Sequence, residues 1–373
     1  MPSPERIDEA ERLMVICNAC RYCEGYCAVF PAMELRRTFT PQDFVYLSNL
    51  CFECRACYYA CQYAPPHEFA VNIPKTFAEL RGDTYRDYTW PRVLCDLFRR
   101  NSLAVATIPA LSVAVVLLLT LFYQGPSVLF SAHLGERAFY AVIPYSVIVL
   151  PATVMMLYAV LALFAGLLGF WRDTRGKTIE LIDPGAFLRA VRDAFGLVQM
   201  KGGGDGCNYP DEEFGHTRRW YHHLVFYGFL LDLASTTLAA IYNHFLHWDA
   251  PYPLLSAPVV LGTVGGAMLL IGTTGLLVLK RRSDMELADR QMLDMDIAFL
   301  LLLFLTSLTG LLLLALRKTL AMGTLLAVHL GVVAGLFLTL LYGKVAHAVY
   351  RYAALVRNAI EQRRVAGLDA AKG

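Results

Sequence analysis

The segment CNACRYCEGYC (17–27) recurs 34 residues later as CFECRACYYAC (51–61), and this repeat decides how the N-terminal part of the chain folds. Both copies have the pattern Cys-x2-Cys-x2-Cys-x3-Cys. Together they contain eight of the ten cysteines in the chain. Because every cysteine of the second copy has a counterpart in the first, the two segments form an internal duplication.

The spacing is that of the bacterial ferredoxin motif, in which three close thiolates bind one four-iron cluster and the distant fourth thiolate binds the other. The motif predicts two [4Fe-4S] clusters, one held by Cys17, Cys20, Cys23 and Cys61, and the other by Cys51, Cys54, Cys57 and Cys27. Ala28 and Gln62 replace the usual proline after the fourth cysteine, which shapes the backbone but is not a ligand. Zinc is the alternative, although zinc sites usually combine paired Cys-x2-Cys units. We expect Cys95 and Cys207 to be free thiols.

The composition indicates an integral membrane protein. Of 373 residues, 57% are hydrophobic and 17% are charged, and the mean hydropathy is +0.46. Soluble domains have roughly 45–50% apolar and about 25% charged residues. A net charge of +2 does not suggest nucleic acid as a partner. The polar start of the chain has no signal-peptide core, so we expect the cysteines in the reducing cytoplasm, where they bind metal rather than form disulfides.

The hydropathy pattern divides the chain into residues 1–100, a polar cytoplasmic domain, and residues 101–373, a membrane domain. The membrane domain has six apolar runs long enough to cross a bilayer, at 102–123, 138–170, 220–246, 255–279, 297–316 and 323–346. Pro144 and Pro151 predict a tilt or kink in the second run. The predicted fold class is an all-α membrane protein, a six-helix cytochrome b-type bundle with an N-terminal α-helical ferredoxin-like domain that holds two [4Fe-4S] clusters.

The charges between these runs predict the orientation. With the N-terminus inside, the cytoplasmic stretches carry 21 Lys and Arg residues and the outer loops carry 3. This is the bias of the positive-inside rule. We therefore expect a multi-pass protein of the inner (cytoplasmic) membrane, with both termini in the cytoplasm.

Histidines near the ends of two runs suggest haem ligands. His329 and His347 are 18 residues apart, which is five whole turns of one continuous helix and about 27 Å. Pairing across the bundle would place two b-type haems, one between His222 and His347 and one between His244 and His329. The sequence does not choose between His222 and His223, or between His244 and His247, and one haem or two remain open. Interfacial histidines without any ligand role are the alternative.

Other features leave open questions. Asp232 lies in mid-span, where it could relay protons or be protonated and hydrogen-bonded. Asp183 should cap a surface helix that either lies on the bilayer, docks a partner or packs on this protein itself. The GGGDG run (202–206) reads as a flexible turn. Gly262-x3-Gly266 and Gly331-x3-Gly335 allow close approach of a helix or a porphyrin.

The segments NACRYCEGYCAVFPAMELRRTFT (18–40) and LCFECRACYYACQYAPPHEFAVNIP (50–74) closely resemble the tricarballylate-utilisation protein B family, also called citrate-utilisation protein B. The membrane part is similar to that family over essentially the whole chain. The resemblance implies two four-iron clusters, haem and an FAD-dependent dehydrogenase as partner, which oxidises tricarballylate to cis-aconitate. The family passes the electrons to the quinone pool. A weaker similarity links the His329/His347 spacing to dihaem cytochrome b subunits of the nitrate reductase and heterodisulfide reductase type.

These observations predict an electron-transfer protein, an oxidoreductase subunit rather than a self-contained enzyme. Electrons would pass from a flavoprotein through the clusters and haem to a membrane quinone. The same parts would also serve the reverse flow, in which quinol is oxidised and a cytoplasmic partner is reduced. A transporter with a redox-sensing domain is a rival from another class, but transporters tend to show inverted repeats and broken helices. A redox-responsive regulator would need neither two clusters nor a membrane bundle.

Overall fold

The computed structural model describes residues 2–92, 95 and 102–370, and most of them are helical. The helices are α1 (Pro4–Cys20), α2 (Val29–Glu34), α3 (Pro41–Leu50), α4 (Ala56–Tyr59), α5 (Ile73–Asp87), α6 (Ser102–Gln124), α7 (Pro126–Leu129), α8 (Ala138–Val142), α9 (Tyr145–Asp173), α10 (Pro184–Phe195), α11 (Thr217–Leu246), α12 (Ala257–Arg282), α13 (Arg290–Leu316), α14 (Met322–Thr339) and α15 (Ala346–Ala370). Short 3-10 turns lie at Thr178–Ile182, Val198–Met200, Gly202–Gly204 and Met285–Leu287, and β1 (Cys207–Asn208) pairs antiparallel with β2 (Phe214–Gly215). The predicted domain boundary at residues 100 and 101 lies outside the described residues.

Six helices of the described chain are long and apolar enough to cross a membrane. They are α6 over Thr107–Gln124, α9, α11, α12, α13 and α14. The prediction of a multi-pass, mainly helical protein with six spans is therefore confirmed.

The apolar run at 138–170 is not one helix. It forms α8 and, after a break, α9, with Pro144 as the residue that precedes the first turn of α9. Proline disfavours helical geometry in the residue before it, so Ile143 adopts an extended conformation and α8 ends. Pro151 lies inside α9.

The run at 323–346 also ends early, and this corrects the sequence-based geometry of two histidines. α14 stops at Thr339, and His347 lies on α15, so one continuous helix does not join His329 and His347. Their shared helical face was therefore a wrong prediction. Lys344 lies in the break, with its Nζ 2.6 Å from Asp296 of α13. This buried ion pair fixes the chain where Gly343 already weakens the helix.

A single apolar core joins the N-terminal helices to the end of the chain. It contains fully or almost fully buried side chains from α2, α3, α5, α9 and α15, among them Phe30, Phe44, Leu47, Phe77, Trp171, Tyr350 and Ala354. The C-terminal helix α15 is thus part of the core of the cysteine-rich domain.

Arg36 connects the start of α3 to α15. Its Nε donates to Asp43 Oδ1 at 2.7 Å, and its Nη2 donates to Glu361 Oε1 at 2.8 Å. Asp43 also accepts from the backbone N–H of Thr40 and, with Thr40, forms the capping box of α3. The start of α3 and the middle of α15 therefore share one buried guanidinium.

The predicted surface helix is α10, and Asp183 caps it by accepting from the N–H of Ala186 at 2.7 Å. α10 packs on this protein's own α15. Arg363 Nη1 lies 2.6 Å from Asp183 Oδ1, and the rings of Phe187 and Tyr352 are 5.8 Å apart. Of the three alternatives, the structure thus supports packing on the protein itself.

The glycine-rich turn is also packed against the protein. Gly202, Gly203, Gly204 and Gly206 all have positive φ angles. A Cβ on Gly203 would lie 3.2 Å from the ring of Tyr26, in the first cysteine segment. The turn therefore contacts the cysteine-rich domain.

Glycines let membrane helices touch at the backbone. A Cβ on Gly331 would lie 2.5 Å from Val113 Cα, and one on Gly335 would lie 2.6 Å from Pro109 Cα, both on α6. Gly331-x3-Gly335 therefore serves helix packing rather than a porphyrin. Between α11 and α12, a Cβ on Gly265 would lie 2.8 Å from Gly228 O.

We predict that Gly331→Ala lowers the thermal unfolding midpoint of the purified protein in detergent. The added methyl group meets the backbone of α6, and such overpacking costs about 1–3 kcal/mol. Gly367→Ala is the control, because a Cβ there meets nothing within 4 Å. Equal midpoints for the two variants would contradict the close contact of α6 and α14.

Asp43 should make stability depend on pH. Burial alone would raise the pKa of Asp43, but hydrogen bonds from Thr40 and Arg36 lower it below its usual value of 3.8. The stabilisation is therefore present above pH 3.8 and is lost as the pH falls towards the lower folded-state pKa. We expect Asp43→Asn to cost roughly 1.5–3 kcal/mol at pH 7, and less in acid.

Chemical denaturation between pH 3 and pH 7 measures this difference. Asp8→Asn, at an exposed position of α1, is the matched control. A cost for Asp43→Asn that does not change with pH would refute the ionic contribution.

Candidate metal centres

The structure brings Cys17, Cys20, Cys23 and Cys61 together, and we name this set the first thiol group. Burial, followed by the proximity of the Cys23, Cys61 and Cys20 thiols, raises the pKa of Cys17 to about 12. Arg21 ends α1 in a left-handed conformation, φ 54°, and this turn directs Cys23 back towards Cys17. All four cysteines are half-buried and line an open cavity of about 270 Å³.

The second thiol group is formed by Cys51, Cys54, Cys57 and Cys27. Burial, and then Cys54 and Cys51, raise the pKa of Cys27 well above its usual value. The side chains of Cys51 and Cys54 are only 8% and 6% exposed. Left-handed conformations at Glu53 (φ 56°) and Arg55 (φ 66°) fold this loop around the thiols.

The two groups are neighbours. Cys23 Sγ of the first group lies 3.9 Å from the carbonyl oxygen of Cys57 in the second. In each group the fourth thiol comes from the other copy of the repeat, as the ferredoxin spacing predicts. None of the ten cysteines forms a disulfide, so all eight thiols are available to a metal.

Cys207 lies beside the second thiol group, which the sequence did not reveal. Cys207 is fully buried, and its Sγ donates to Met200 O at 3.3 Å. Burial is the main cause that raises the pKa of the Cys54 thiol, and the nearby Cys207 thiol raises it further. The N–H of Asn208 donates to Cys54 O at 2.9 Å. The segment after α10 therefore covers the second thiol group, and no spacing motif marks it.

Arginines surround the Cys51–Cys54 loop. Arg81 donates to Ser48 O at 3.2 Å and to Cys51 O at 3.4 Å, and Arg218 donates to Glu53 O at 2.7 Å. The Arg351 guanidinium lies 4.6 Å from the centre of the Phe52 ring. Sequence reasoning missed these residues, although Arg218 and Arg351 stand four positions from His222 and His347.

His222 and His347 face each other where the bundle meets the cysteine-rich domain. Their ring centres are 6.5 Å apart, and the ring planes are at 78°. His347 Nδ1 donates to the carbonyl oxygen of Lys344, so its Nε2 keeps the lone pair that a metal needs. Two imidazoles that share one metal at about 2.0–2.1 Å per nitrogen have ring centres roughly 6 Å apart, which these rings fit.

His223 points elsewhere. It packs on Trp220 and Tyr227, with ring centres 6.0 and 5.7 Å away, and it has no contact with His347 among the described residues. The structure therefore pairs His222, not His223, with His347.

The structure does not bring His244 and His329 together. His329 Nδ1 lies 3.0 Å from Thr309 Oγ1 of α13. His244 is exposed and its ring contacts Phe245, while His247 is exposed at the end of α11. In the part of the chain that the structure describes, no hydrogen bond or ring contact joins the two predicted ligands of an outer haem.

Asp232 lies between α11 and α12. Its carboxylate faces the backbone at Gly265, and Oδ1 is buried without a hydrogen-bond partner among the described residues. Proton relay by Asp232 stays a prediction.

Two adjoining groups of four thiols on a bundle of six apolar helices define a multi-pass membrane protein with a ferredoxin-type metal-binding domain. The comparisons with known proteins agree. Residues 96–367 match the family Citrate utilization protein B, and residues 10–89 match the Citrate utilization protein B Fer4-like domain. The chain is 46% identical over 357 residues to Citrate utilization protein B of Escherichia coli, covering 95% of this chain and 93% of that protein.

The chain therefore belongs to the citrate utilization protein B family. No solved structure matches it. The Fer4-like domain and the cysteine-rich N-terminus indicate an iron–sulfur electron-transfer role.

Proposed function

We propose that this protein is a membrane electron-transfer subunit that accepts electrons from a soluble FAD-dependent dehydrogenase and delivers them to membrane quinone. The observation that carries the proposal is the pair of adjoining thiol groups, four cysteines each, next to the His222/His347 pair. Iron–sulfur clusters supply one-electron transfer at such sites. The eight cysteines would hold them, and the chain buries Cys51 and Cys54 of the second group.

The donor set supports two [4Fe-4S] clusters. Each group offers four thiols and no histidine or carboxylate, which suits iron–sulfur clusters. Cys27 and Cys61 cross between the copies of the repeat, and this crossing keeps the two groups close.

One b-type haem is supported by the inner histidine pair. His222 and His347 would hold it, and His347 is oriented by its hydrogen bond to the carbonyl oxygen of Lys344. The outer pair, His244 and His329, has no such support from its geometry, so we propose one haem. Since His222 lies on a membrane-spanning helix, lipid-soluble quinone is the natural electron acceptor.

Membership of the family supports the choice of partner, and the distribution of Lys and Arg residues supports the orientation in the membrane. The Escherichia coli relative is named for citrate utilization, and the resemblance described above suggests tricarballylate dehydrogenase as the flavoprotein. The substrate is chosen by that partner. The 21 Lys and Arg residues on one side of the bundle, against 3 on the other, support an inner membrane protein with both termini in the cytoplasm.

Replacing one thiol of either group should remove one cluster. We expect about nine iron atoms per chain in the purified protein, eight in the clusters and one in the haem, and about five in Cys20→Ser or Cys54→Ser, because each four-iron cluster needs its four thiolates. Iron analysis together with EPR spectroscopy of the dithionite-reduced protein measures this. Both variants should also lose electron transfer from reduced flavoprotein to quinone while still inserting into the membrane.

Cys95→Ala is the control, because Cys95 packs in a separate apolar cluster with Ala159 and Tyr342. It should keep full iron. Zinc without iron in the native protein, or unchanged iron in Cys54→Ser, would refute the cluster assignment.

His222→Ala should abolish the b-type haem bands in a reduced-minus-oxidised visible spectrum, since one axial imidazole is lost. His223→Ala, at the adjacent position of α11, should retain them. A native spectrum with only the broad iron–sulfur bleach would refute the haem, and loss of the bands in His223→Ala alone would refute the ligand choice.

A further inference from the structure

The two thiol groups differ in the charges that surround them. Four arginines come within reach of the second group, and they derive from separate parts of the chain, namely Arg55 in the loop itself, Arg81 on α5, Arg218 on α11 and Arg351 on α15. Glu53 is the carboxylate that the described residues place among them, 2.9 Å from Arg81 and 3.9 Å from Arg55. Asp296 does not offset them, because it already pairs with Lys280 and Lys344 at 2.6 Å each.

The first thiol group has no such surroundings. The groups that act on Cys17, Cys23 and Cys61 are other thiols and backbone N–H groups, and no arginine or lysine of the described chain is among them. Arg21, which follows Cys20, is exposed and donates to Asn18 O. The first group therefore borders an open cavity, and Arg21, which also lines this cavity, is exposed, so that solvent screens its charge.

Some N–H groups of the arginines at the second thiol group have no hydrogen-bond acceptor among the described residues. Arg55 Nε and Nη1 and Arg351 Nε are buried without a hydrogen-bond partner among the described residues. An unmatched buried cation is costly, so the site is built for more negative charge than Glu53 supplies. A four-iron cluster bound by thiolates is anionic and becomes more so on reduction.

We propose that the four arginines make the second thiol group the electron acceptor of the first, so that electrons run from the exposed first group towards the membrane. This inference rests on the proposed function. Reduction adds one negative charge, which nearby cations stabilise most strongly where water is excluded. Burial of the second group opposes this effect, but three guanidiniums at hydrogen-bonding or stacking distance from its loop, and a fourth 3.9 Å from Glu53, outweigh the lost solvation.

The proposed transfer moves one electron from the cluster of the first thiol group to the cluster of the second. Reduced flavin of the partner dehydrogenase supplies electrons one at a time to the first group. One electron would then leave the cluster held by the first group, which is oxidised, and enter the cluster held by the second group, which is reduced, and no proton would move and no bond would break. Quinol oxidation with reduction of a cytoplasmic partner would have to move this electron against the field of the arginines.

The test is an EPR-monitored redox titration of the purified full-length protein. Cys54→Ser and Cys20→Ser, each with a single cluster left, assign the signals to the two groups. We expect the second group's cluster to be reduced at the higher potential. A first-group cluster that is reduced more easily overturns the inference, and this result needs no arginine variant.

Arg351→Gln removes one charge next to Phe52. At a fixed ambient potential, we expect the ratio of reduced to oxidised second-group cluster to fall about tenfold, or about 59 mV for a one-electron couple, while the first-group cluster is unchanged. Arg351→Lys keeps the charge and should stay near the native ratio. If Arg351→Gln shifts both clusters equally or neither, the arginines do not set the difference.

Arg357→Gln is the matched control. It lies on the same helix, and its guanidinium stacks 4.5 Å from the Tyr46 ring, as Arg351 stacks on Phe52, but it is not near the cysteines. Its titration should match the native protein. Iron content separates the two levels of failure: a native protein without about nine irons per chain refutes the proposed function, whereas full iron with the reverse order of potentials refutes only this inference.

Discussion

Guanidinium groups hydrogen-bond to, or stack on, the loop between Cys51 and Cys54, and these contacts join the cysteine-rich domain to the membrane bundle. Arg81 belongs to the cysteine-rich domain, Arg218 begins a membrane helix, and Arg351 lies on the C-terminal helix. Each donates to, or stacks on, the same short loop. Because charged hydrogen bonds to buried carbonyls are strong and directional, they fix how the domain sits on the bundle.

The same arginine contacts place the second thiol group next to the pair of His222 and His347. Arg218 and His222 are one turn apart on α11, and so are His347 and Arg351 on α15. A guanidinium that reaches the cysteine loop therefore sets the distance between that loop and an imidazole one turn further along. The bundle and the cysteine-rich domain cannot shift relative to each other without breaking these contacts.

Sequence patterns within short segments predicted the structural features that depend on those segments alone. Six apolar runs give six spans because a bilayer demands length and hydrophobicity, which a sequence displays directly. Cysteine spacing likewise predicted which thiols meet. The end of α14 escaped prediction because it depends on Lys344 reaching Asp296, 48 positions away on another helix. The arginines and Cys207 escaped for the same reason, since their roles come from contacts between distant segments and not from any spacing.

The core shared between α15 and the N-terminal helices has a consequence for biogenesis. Val356, Ala359 and Ile360 are the last residues of that core to leave the ribosome, after all six spans have been made. The cysteine-rich domain is translated first, but its apolar core is complete only when α15 packs against it. The surroundings of the thiol groups are therefore complete only after α15 has been made, and a chain that stops before α15 leaves apolar surface of this core exposed.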